Sequence, residues 1–247
     1  MTPLWITAFL DFPEADFETG ADHWSAVTGY PRSPQRGKDG QFATLVPPDG
    51  TDYLRLQRLA LPAPRIHVDL HVADVASARS DAESLGAAVV ATPEDDLTIL
   101  RSPGGFEFCL VRGEGGRRPA ASTWPDGRSS YVDQVCLDIP PSRYADELDF
   151  WAALTGWSRR DPRPGSEFGR VTPGPEQPLQ LLLQRLDDEQ DAVTAHLDWA
   201  AADRDEEVAA HVAAGADLLG RYEGWTVLRD PVGMTYCITG RRPGDRP

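Results

Sequence analysis

The chain has 247 residues, 26% of them charged, and a formal net charge of −15 to which both halves contribute: 16 acidic against 9 basic side chains over residues 1–113, and 20 against 9 over 131–240. An acidic surface without a basic stripe excludes phosphate-backbone binding, so nucleic acid is not an expected partner. Three cysteines with no Cys-x-x-Cys spacing exclude a disulfide framework and a zinc finger, and the length fits two domains of about 110–120 residues.

The opening MTPLWITAFLDFPEAD has neither a basic start nor a long apolar run, so it reads as neither a signal peptide nor a membrane span. A cytoplasmic protein with no membrane partner is expected. WITAFLDF is a strand, and an amphipathic helix follows from Phe17 to Thr28, closed by Gly29, which reaches a positive φ at little cost. Short strands come next at FATLVP and DYLRLQRL. IHVDLHV then alternates polar and apolar residues with the period of a strand, and the helix VASARSDAESLGA follows it. AAVVAT and LTILRS are strand candidates, and the turn Ser102-Pro103-Gly104-Gly105 leads into FEFCLV. Residues 114–130 have the Gly, Pro and Ser content of a linker.

Past the linker the order repeats: YVDQVCLDI, helix RYADELDFWAALTG, strands FGRVT and LQLLLQRL, strand AHLDWAA, helix RDEEVAAHVAAGA, WTVLRD, a turn at Pro231-Val232-Gly233, and MTYCITG. Trp24, Thr28-Gly29, Gln57-Arg58-Leu59, His67-x-Asp69 and Cys109 return as Trp151, Thr155-Gly156, Gln184-Arg185-Leu186, His196-x-Asp198 and Cys237. A register held this closely means two copies of one domain, at 1–113 and 131–240, with a tail at 241–247. Each copy reads as two βαβββ-like modules. The basic residues of linker and tail are expected to be solvated.

The stretches DFWAALTGW, LQLLLQRL, AHLDW and RDPVGMTYCIT, and in the first copy HWSAVTGY, YLRLQRL, IHVDLHVAD and SPGGFEFCL, resemble the glyoxalase/bleomycin-resistance/extradiol-dioxygenase group, the vicinal oxygen chelate superfamily, and within it the bacterial glyoxalase-like proteins. The resemblance implies an α+β fold of two tandem domains, each pairing two βαβββ modules into a β-cup. It also implies four strand positions that hold metal in metal-binding members: Thr7, Gln57, His67 and Cys109 in the first copy, and Gln134, Gln184, His196 and Cys237 in the second. Because cysteine stands where the family's glutamate is expected, no metal or other cofactor is expected. An ion, if held, would use His67 with Gln57, or His196 with Gln184.

His67, Asp69 and His71 share one face of their strand, but the two imidazoles stand about 13 Å apart, too far to share one ion. His67 with Asp69, and His196 with Asp198, are candidate general acid/base pairs, with a satisfied structural pair as the alternative. Strand alternation also puts Arg55, Gln57 and Glu107 on the inner face of the first cup. Trp5 and Trp199, which have no counterpart in the other copy, are candidates to stack on a planar ligand. The ligand-contacting set is therefore Trp5, Thr7, Arg55, Gln57, His67, Asp69, His71, Glu107, Gln134, Gln184, His196 and Trp199. No dinucleotide fingerprint, P-loop, nucleophile elbow or His-Glu-x-x-His helix is present. The expected function is metal-independent binding of a small molecule, as in drug or metabolite sequestration. The alternative is a lyase or isomerase using His67 or His196 as metal ligand or general base. The chain is expected to be a monomer with paired internal domains, or a homodimer.

Overall fold

The computed structural model describes residues 1–245; Arg246 and Pro247, the end of the expected tail, lie outside the described residues. The first module is β1 (Trp5–Pro13), α1 (Phe17–Thr28), β2 (Phe42–Leu45) and β3 (Leu54–Leu59). The second is β4 (Arg65–Val72), α2 (Val75–Ser84), β5 (Ala88–Glu94), β6 (Leu97–Arg101) and β7 (Glu107–Arg112). A short β8 (Ser122–Thr123) precedes the third module: β9 (Ser129–Ile139), a 3-10 turn (Pro141–Arg143), α3 (Tyr144–Thr155), β10 (Ser158–Arg160), β11 (Phe168–Thr172) and β12 (Gln180–Arg185). The fourth is β13 (Thr194–Ala201), α4 (Arg204–Ala213), β14 (Asp217–Arg221), β15 (Trp225–Arg229) and β16 (Thr235–Thr239). The fold is of the expected α+β class. Among the described residues, no helix is long and apolar enough to cross a membrane.

Local chemistry sets these elements in equivalent ways in the two copies. α1 and α3 end on Gly29 and Gly156, both left-handed at φ 72° and 65°, where a side chain would be strained. α2 and α4 begin on Asp74 and Asp203, whose carboxylates accept from the Ser77 and Glu206 amides.

The strands form two sheets. One runs β2-β3-β1-β4-β7-β6-β5; the other runs β10-β11-β12-β9-β13-β16-β15-β14, with β8 added beside β9. β4 lies parallel to β7, and β13 parallel to β16. Along β4, Val68 and Leu70 are fully buried on one face, which leaves His67, Asp69 and His71 on the other.

The chain forms two compact units, and each draws on both copies. Unit 1 comprises residues 1–8, 67–118 and 135–195; unit 2 comprises 9–66, 119–134 and 196–247. In unit 1, α3 packs its Trp151 ring edge-on against Phe106 and Phe108. In unit 2, the Trp24 ring of α1 packs against Trp199 and Tyr236.

Three features differ from the sequence reading. β10 and β14 are additional strands. Both are short edge strands: β10 is exposed along its length, and Leu218 and Leu219 of β14 are exposed, so neither shows a buried-face alternation. The segment read as a linker is ordered in part: Ser122 pairs with Ser130, and its hydroxyl donates to the Thr28 carbonyl. The basic residues expected to be solvated include two held in buried pairs. Arg241 makes a bidentate pair with Asp133 at 2.6 and 2.7 Å, and Arg128 meets Glu207 at 2.8 Å. A carboxylate buried beneath either position needs that guanidinium to offset its desolvation.

Candidate functional site

The parallel pairing of β4 with β7 sets Asp69 beside Cys109. His67 lies two residues earlier on the same face, with Nε2 3.6 Å from Asp69 Oδ1. One donor atom each from His67, Asp69 and Cys109 falls within 4.8 Å of the others, and all three side chains are buried. Sequence placed His67 and Asp69 on one face. The family resemblance set Cys109 with His67 among the strand positions of one cup, and the β4–β7 pairing brings it beside Asp69.

His71 does not join this group. Its Nε2 meets Thr7 Oγ1 at 2.9 Å, a buried contact that ties β1 to β4. Arg55 and Glu107 are committed locally. The Arg55 guanidinium donates to Asp52 at 3.0 Å and lies over the Phe9 ring, while Glu107 accepts from Arg101 at 3.4 Å. Gln57 stands opposite Phe42 in the β2–β3 register. Trp5 is buried on the same face of β1 as Thr7.

In the second copy, Gln134 Nε2 donates a short hydrogen bond to Asp198 Oδ2, and His196 Nε2 lies 3.3 Å from Asp198 Oδ1. Gln184 is met by the Cys136 thiol at 3.7 Å. Trp199 requires a correction. It points to the opposite face from Asp198, its ring centroid 5.1 Å from each of Trp24, Tyr236 and His211, so it belongs to the core of unit 2 and not to a ligand surface.

His67 offers nitrogen, Asp69 oxygen and Cys109 sulfur, a mixture that fits a zinc-class ion better than magnesium or calcium, which take oxygen throughout. Asp69 and Cys109 stand within reach of His67, and Asp69 supplies a carboxylate able to reduce the charge of a bound cation.

Buried polar networks that the sequence did not reveal lie on the helix side of each unit. In unit 2, the Tyr236 hydroxyl stands 3.0 Å from His211 Nδ1 and 3.4 Å from His23 Nε2. His211 Nε2 contacts Glu207 at 3.2 Å, and the Trp24 indole donates to Asp230 at 2.9 Å. Burial lowers the pKa of both histidines below 6.5 and raises that of the tyrosine. At Glu207 burial acts upward but is outweighed by His211, Ser130 and Arg128, so its pKa falls. In unit 1, Glu147 accepts from the Gly104 amide and the Trp151 indole, and burial raises its pKa.

A family model described as a glyoxalase-like domain matches residues 7–111 and again 134–239. No curated protein matches the sequence. Among solved structures, the chain is similar to a mutant 4-hydroxymandelate synthase from Streptomyces coelicolor, at 15% identity and TM-score 0.64, covering 99% of this chain and 94% of that one. It is similar to the Mn(II)-bound glyoxalase from Novosphingobium aromaticivorans at 14% identity and TM-score 0.62, covering 96% and 81%. It is also similar to 2,2',3-trihydroxybiphenyl 1,2-dioxygenase from Sphingomonas wittichii strain RW1, at 15% identity and TM-score 0.62, covering 99% and 93%. At these identities the likeness shows a shared fold.

Proposed function

This chain belongs to the glyoxalase-like domain family, and on that premise we propose that it binds a small polar molecule at the first-copy wall where His67, Asp69 and Cys109 converge. The molecule, a drug or metabolite, is sequestered. One observation carries the reading: three buried polar groups of different chemistry share one face of adjoining strands. A packing role alone would be served as well by apolar side chains, which carry no desolvation cost. The domain bounds we adopt are 1–113 and 131–240, and the matched stretches fall inside them. A cytoplasmic monomer or homodimer belongs to the same reading.

A second reading, a metal-assisted lyase or isomerase, is favoured by the spacing of the three donor atoms. A zinc-class ion there would act as a Lewis acid on a ligand oxygen. His67, Asp69 and Cys109 would hold it, and Asp69 would also fix the orientation of the His67 ring.

One experiment separates the two. Purified protein is assayed for metal, then screened against a panel of planar natural products by tryptophan fluorescence, with and without chelator. Sequestration predicts ligand binding that survives chelation and weakens at least tenfold in Asp69→Asn and His67→Ala. The metal reading predicts one equivalent of zinc, lost in Cys109→Ser. Binding that none of the three substitutions alters would remove the site from both readings.

A further inference from the structure

One polar difference between the two copies lies at the Thr7–His71 pair. In the first copy Thr7 is satisfied by His71. At the equivalent positions the second copy has Gln134 and Ala200, so the imidazole is lost and a longer amide has replaced the hydroxyl. The Gln134 amide turns its nitrogen to Asp198 Oδ2, because a carboxylate can only accept. That leaves Gln134 Oε1 and Asp198 Oδ1 as buried acceptors without a hydrogen-bond donor, on residues each only 2% exposed. His196 Nε2 stands 3.3 Å from Asp198 Oδ1 as an ion-pair contact, outside hydrogen-bond alignment. Arg241, whose guanidinium also feels the charge of Asp198, is committed to Asp133 through two hydrogen bonds.

We propose that Gln134 and Asp198, flanked by His196, form a subsite that receives the protonated amine of a small organic ligand. The proposal rests on the small-molecule reading above and adds a ligand class for the second copy. Both open atoms are acceptors, so the missing group must donate. One of them belongs to a buried carboxylate, so the missing group should also carry positive charge. An ammonium group meets both demands with three N–H bonds, whereas a water would satisfy the lone pairs and leave the charge.

The test is titration calorimetry on the full chain with phenethylammonium chloride, and with 2-phenylethanol and 3-phenylpropionate as neutral and anionic probes of similar shape. The wild-type protein should bind the amine at least tenfold more tightly than the alcohol and exclude the acid. Asp198→Asn should remove that preference while the chain stays folded. Gln134→Leu should weaken amine binding more than alcohol binding, although losing its hydrogen bond to Asp198 also lowers the melting temperature. Alcohol binding as tight as amine binding, or an amine preference that persists in Asp198→Asn, would overturn the subsite while leaving the small-molecule reading intact. So would a zinc ion held by these residues that the amine does not displace. Failure of all three probes would also overturn the subsite, whereas the broader reading stands or falls on the His67 and Asp69 variants.

Discussion

Gly104 shows how tightly single positions are held around the buried carboxylate of unit 1. Its amide donates to Glu147, and a Cβ built there would lie 2.6 Å from Val193 Cγ2 and 2.8 Å from Glu147 Oε1. Gly104→Ala must therefore displace Val193 or break the contact to Glu147, and should destabilise the protein by about 1–3 kcal/mol in urea unfolding. An unchanged midpoint would show that this loop gives way freely. Residue chemistry was partly legible in the sequence. The His-x-Asp pairs were visible because two residues of a strand share a face whatever the tertiary fold. That Cys109 sits beside Asp69 followed from no local pattern, since the β4–β7 pairing joins residues some forty positions apart; only the family resemblance put it in one cup with His67. Trp199 was misread for a related reason: alternation told its face from that of Asp198 but not which face carried the helices.

Among the elements, α1 and α4 meet through the network of His23, Tyr236, His211 and Glu207, with Asp230, Arg128 and the Ala214 carbonyl as further neighbours. Both histidine pKa values are depressed by burial below the 6.5 of an unfolded chain. The unfolded chain therefore takes up more protons as pH falls below 6.5, and stability present above that value is lost on acidification. The melting temperature should hold near pH 7–8 and drop from about pH 6.5 downward, with His23→Gln/His211→Gln flattening the slope. A slope unchanged by the double substitution would assign the acid sensitivity elsewhere. Glu207, whose pKa is also lowered, adds a second loss only below its unfolded value of 4.5. Long elements with a buried face, such as α1, α3 and β4, could be read from periodicity. β10 and β14 could not, because exposed edge strands lack the apolar alternation that marks a half-buried one.

Across the molecule, the duplication is plain in the sequence, but the way the copies share their cores is not. Each compact unit combines one half of the first copy with one half of the second. Residues 1–118 alone would therefore retain half of each unit, leaving Trp24 without Trp199 and Tyr236, and Phe108 without Trp151. Expressed separately, fragments 1–118 and 119–247 should give poorly dispersed NMR spectra, and mixing them should restore the native one. A well-dispersed monomeric spectrum from 1–118 would show that a single copy is self-sufficient.

The same interleaving imposes a schedule on synthesis. α1 leaves the ribosome well before the segment that covers its Trp24 face. At translation rates of about 5–20 residues per second, that tryptophan waits roughly ten to forty seconds for its partners. Throughout that interval the nascent chain carries sticky surface it cannot yet hide, a natural client for a holding chaperone.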